Sequence, residues 1–139
     1  MNRARTYATA IVVAHLLVNI AHGLAHHELH VGISLLASLF VIVVVLISPL
    51  LALVLLWTVR KRLGLILLSL SMFASLLFGS YHHFLTVSLD HVRSQPPSPW
   101  GLAFVLTAHG LLITEVIGTY IGVHFLWIAK VAPKNVVKT

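Results

Sequence analysis

Cysteine is absent from the 139 residues. Disulfides, thiolate zinc sites, iron–sulfur clusters and thiol redox chemistry are therefore excluded. Carboxylates are almost absent too: Glu28, Asp90 and Glu115 are the three acidic side chains, against nine Lys and Arg. Charge of either sign makes up only 9% of the chain, where a soluble domain carries roughly 25%. So few charges cannot cover a water-facing surface. A net charge of +6 would suggest nucleic acid as a partner for a soluble protein. Here the basic residues stand at the ends of apolar runs, so they read as topology signals and nucleic acid is set aside.

What the chain does have is apolar length and histidine. Hydrophobic residues make up 59% of it, and the mean hydropathy is +1.02. The expected fold class is all-α, an integral membrane four-helix bundle forming one transmembrane domain over 1–139. The apolar runs place spans at about 7–24, 31–59, 63–85 and 101–128. The second run is longer than a bilayer core requires, and Ser48-Pro49 is its expected kink, because proline lacks a backbone donor and crowds the preceding turn. The segment "SLDHVRSQPPSPW" between the third and fourth runs reads as a loop. Short connections at Ala25–His30 and at "RKR" predict antiparallel neighbours, first to second span and second to third.

Arg3 and Arg5 precede the first span, Arg60, Lys61 and Arg62 join the second to the third, and Lys130, Lys134 and Lys138 follow the fourth. With both termini inside, eight of the nine basic residues are cytoplasmic and Arg93 alone is outside, which predicts an N-in/C-in chain. Trp57, Trp100 and Trp127 fall near span ends, as interface anchors do. Arg3, Arg5 and the first apolar run also fit a signal peptide, with "GLA" before His26 as a cleavage site; the segment is read as a span. The expected location is a prokaryotic inner or plasma membrane, with the lipid bilayer as first partner.

Ten histidines against three carboxylates mean that imidazole must supply most ligands of any bound transition metal. His15, Asn19, His22 and His26 are spaced by four, three and four residues, one stripe on a helix. A polar stripe on an apolar span turns toward other helices or a cavity. His82 and His83 end the third span at the same predicted outer face, near the line of Ser71, Ser75 and Gly79. His109 lies about two turns into the fourth span, and Asp90 and His91 lie in the outer loop. His22, His26, His82, His83 and His109 are the expected metal or haem ligands. Glu115, His15, Asn19, Asp90 and His91 are the expected supporting or proton-handling groups. Glu115, deep in a span, requires pairing, protonation or water, and His15, Asn19 and His22 are its expected partners.

Haem b, or a histidine-ligated copper, iron or zinc ion, is the expected cofactor, with Gly23, Gly79 and Gly110 as room for a macrocycle. The separation of His109 and His124 resembles the paired ligands of two-haem membrane cytochromes b; His124 has no partner at its own depth, so at most one haem is expected. The His-x3-His and His-His pairs are similar to those of histidine-box membrane oxygenases and desaturases, a resemblance that implies a cytoplasmic site, whereas these face outward. "HELHV" has valine where the zinc-protease helix motif has its second histidine.

The leading expectation is a small membrane redox protein. Thr114, Gly118 and Gly122 form a small-residue face on the fourth span. That face supports an alternative, an accessory subunit that meets a partner chain or a second copy through Gly118 and Gly122. A third reading is a proton-responsive channel or transporter element, since histidines titrate near neutrality and Glu115 could relay.

Overall fold

The computed structural model describes residues 2–58 and 60–131. Val59, Lys134 and Lys138, used above for a span end and for orientation, lie outside the described residues. Four long helices form the chain: α1 (Asn2–Glu28), α2 (Leu35–Trp57), α3 (Lys61–Leu85) and α4 (Pro99–Val131). There is no strand among the described residues. Each helix is long and apolar enough to cross a membrane. Leu17, Leu35, Val54, Leu70 and Leu106 are among many large apolar side chains left exposed on the bundle surface. That is the arrangement a lipid-facing shell requires.

Local chemistry sets the helix ends. The backbone of α1 closes with Val31 N–H donating to His26 C=O at 3.0 Å and His30 N–H donating to His27 C=O at 3.1 Å. His30 sits between them at φ 54°, the left-handed position that usually falls to glycine. This closure delays the second helix relative to the expected start at Val31. Ser34 caps it instead, its hydroxyl accepting Ala37 N–H at 3.2 Å. A widened, π-helical stretch at Val41–Ile47 precedes Pro49, which stands in the first turn of the α-helical remainder. Ser98 caps α4, accepting Gly101 N–H at 3.0 Å, with Pro99 in the first turn.

Packing is closest between α3 and α4, α1 and α4, and α2 and α3. The first helix thus leans chiefly on α4, although α2 follows it in sequence. The small residues of α4 explain this pairing. A Cβ on Gly118 would stand 2.8 Å from Met72 Cγ, and one on Gly122 would collide with Ser69 Oγ. The Gly118/Gly122 face, expected to meet a partner chain, is therefore filled by α3 of the same chain, because only glycine lets the two backbones come this close.

The bundle has two unlike halves. Toward the end that carries the α2–α3 link, Ala8, Ile11, Val12, Ala52, Leu56, Leu65, Leu68 and Met72 form a closely packed apolar core. Toward the end that carries the α1–α2 and α3–α4 connections, hereafter the loop end, the buried residues include His15, His22, His83, Asp90, His91 and Glu115. The polar groups of the interior gather in this second half.

Candidate metal centre

His22 and His26 arrive from α1, His83 from the last turn of α3, and one ring nitrogen from each lies within 4.8 Å of the others. These three histidines can hold a metal ion. His22 and His26 share a face because they are four residues apart on one helix. His83 continues the Ser71–Ser75–Gly79 line at the same interval. The helix widens there, with Thr86 N–H donating to Tyr81 C=O at 2.8 Å, five residues back. A wider turn rotates each residue less, which keeps His83 on the core side and turns His82 aside.

Each ring is anchored through Nδ1. Thr107 Oγ1 donates to the Ala103 and Phe104 carbonyls, so at 2.8 Å it accepts from His22 Nδ1–H. His26 Nδ1–H donates to Val31 C=O at 3.1 Å, the carbonyl that the closure of α1 delivers. His83 Nδ1–H donates to Asp90 C=O at 3.0 Å. These bonds commit Nδ1 of each ring and leave Nε2 as the nitrogen that could meet an ion, the usual arrangement of a metal-ligating histidine. His22 Nε2 is buried and has no partner among the described residues.

Asp90 completes the group from the α3–α4 connection. Its backbone N–H donates to Ser88 Oγ at 3.2 Å, a local turn that aims the carboxylate inward. Oδ1 lies 3.1 Å from His26 Nε2 and 3.2 Å from His83 Nδ1. Both approaches are off-axis, so this buried oxygen has no aligned donor. Burial works against ionisation of Asp90, but the His26 and His83 imidazoles outweigh it and hold the carboxyl well below the usual carboxylate range. A lone pair on His26 Nε2 facing a carboxylate is repulsive unless a cation, a proton or a metal ion, lies between them.

Phe104, fully buried, forms the floor, its ring centroid 4.7, 4.9 and 5.5 Å from those of His22, His26 and His83. A cavity of about 170 Å³ opens beside the cluster and is also lined by Asn19, Ser75, Gly79 and Glu115. His26 also lines an open groove with His27 and His30 at the loop end.

The other expected ligands stand apart. His82 Nδ1 is 3.9 Å from Asp90 Oδ2, and its ring packs on Phe78. His109 is exposed on α4, bonded to its own helix at Val105 C=O and edge-on to Phe84. It occupies the face opposite the one α4 turns inward. His91 accepts Arg93 N–H at 3.0 Å and so caps a short turn at Val92–Ser94. His15 and Glu115 do not pair: His15 Nδ1 bonds Thr114 Oγ1 at 3.1 Å, and its Nε2 accepts from Asn19 at 3.0 Å. The Glu115 side chain makes no hydrogen bond or ion pair among the described residues, although it is only 3% exposed.

Haem does not fit. His22 meets His26 and His83 edge-on at 4.8 Å between ring centroids, and no macrocycle can lie between rings already in contact. The cavity alongside is also smaller than ordinary small-ligand pockets of roughly 300–1,000 Å³. Sequence reasoning missed Phe104 and Thr107. The signal was present: stepping back from Gly122 and Gly118 by threes and fours along α4 passes Thr114, Leu111, Thr107 and Phe104.

No protein-family model, no curated protein and no solved structure matches this chain.

Proposed function

We propose that the protein is an integral membrane metalloprotein that holds one divalent first-row transition-metal ion through His22, His26, His83 and Asp90. One observation carries this reading. His22 Nε2 and Asp90 Oδ1 are buried without partners in the same cluster, and such atoms are costly to leave unsatisfied. An ion would satisfy both. Three imidazoles and a carboxylate, with no sulfur ligand, suit copper(II), iron(II) and zinc(II). Copper or iron would make the site a one-electron redox centre, the role expected from the sequence. Zinc would instead polarise a molecule bound at an open position. The proposed orientation is N-in/C-in, which puts the site near the extracytoplasmic surface.

Metal analysis of the purified full chain after incubation with each ion tests the reading. The expected result is about one ion per chain, lost in His22→Ala and His83→Ala and retained in His109→Ala and His124→Ala. Failure of all three ions to bind overturns it. The accessory-subunit reading loses its main support, since α3 fills the glycine face. The channel reading meets the packed apolar core below the polar half.

A further inference from the structure

Glu115 is a buried ionisable group that the metal site does not use, and its surroundings point to a ligand. Its carboxyl lines the same cavity as His22, His26 and His83 and has no protein partner among the described residues. A carboxyl left in this state in an apolar bundle requires a hydrogen-bonding occupant beside it. The Asn19 and Ser75 side chains add polar atoms to the wall, while Val45, Phe78 and Leu111 supply the apolar remainder. About 170 Å³ holds a handful of waters, or one compact molecule.

We infer that this cavity is a binding pocket for a small uncharged molecule that gives a lone pair to the ion at one end and a hydrogen bond to Glu115 at the other. The inference rests on the metal reading above. Gly79 forms the wall between the two ends. A Cβ there would lie 3.7 Å from Glu115 Oε2 and 3.9 Å from His83 Cδ2, so a methyl fits and a larger side chain must project into the pocket. The ligand class follows from the two ends: a neutral N- or O-donor with an N–H or O–H on its far side, with apolar walls rejecting anything charged. Imidazole has this shape and serves as the probe.

The experiment uses the purified full chain loaded with cobalt(II), whose visible bands report coordination. Added imidazole is expected to shift those bands saturably in the wild type. Glu115→Leu should keep cobalt and bind imidazole about tenfold more weakly, the usual consequence of one lost hydrogen bond. Gly79→Leu should keep cobalt and lose the response, whereas Gly79→Ala should retain it. A response that is missing from the wild type, or that survives unchanged in either bulky variant, overturns the inference alone. Should Gly79→Leu fail to bind cobalt, the Glu115→Leu arm decides. Absence of any cobalt band in the wild type overturns the metal reading and this inference with it.

Discussion

Each imidazole of the cluster has one nitrogen committed to a protein acceptor, and that commitment frees the other. Thr107 does this for His22, the Val31 carbonyl for His26 and the Asp90 carbonyl for His83. Thr107→Val should therefore keep the fold and weaken metal affinity about 10- to 100-fold, as loss of a supporting partner generally does; competition against a chromophoric chelator measures it. Asp90 gives a pH prediction for the ion-free protein. Its folded pKa is depressed, so its contribution to stability is fully present above the ordinary carboxylate pKa of about 3.9 and is lost as pH falls through the lower folded value. Thermal unfolding of Asp90→Asn should thus lie below wild type at about pH 5, and the margin should close in stronger acid. A margin that persisted undiminished in strong acid would remove the carboxylate from the account.

The helices carry two local devices that position this site. One is the left-handed His30, whose strain the closure of α1 accepts in order to present the Val31 carbonyl to His26. His30→Gly should stabilise the protein by about 1 kcal/mol, read as a higher unfolding temperature, and leave metal binding intact. The other is the close approach of α3 to α4. Gly122→Ala should destabilise by about 1–3 kcal/mol, because its new methyl meets Ser69 and the Leu65 carbonyl, and the cost falls on the single chain. At this scale much was legible beforehand. The stripe His15–Asn19–His22–His26 needed only helical spacing, and all four residues line the interior. His82 and His109 were misjudged for a physical reason: a π-turn and the choice of inward face on α4 both depend on neighbours, which no single helix contains.

Across the whole molecule, charge and apolar length separate the two ends. The described cations Arg3, Arg5, Arg60, Arg62 and Lys130 lie at the end opposite the histidine cluster. The proposed orientation can be read directly, since the chain has no native cysteine to remove. Gln95→Cys in the α3–α4 connection should react with a membrane-impermeant thiol reagent added to intact cells, and Arg62→Cys only after permeabilisation. The reverse pattern would invert the topology and put the histidines at the cytoplasmic face.

The sequence by itself determined that this chain is apolar and forms four helices long and apolar enough to cross a membrane, because backbone hydrogen bonds in lipid must close within each segment. Histidine abundance and the lack of cysteine likewise fixed which metal ligands were available. Only the tertiary structure decided which imidazoles meet. The candidate ligands from α1, α3 and the α3–α4 connection converge through helix rotation, a widened turn and a loop carbonyl. Those features arise from contacts between segments far apart in the chain, where local periodicity carries no information.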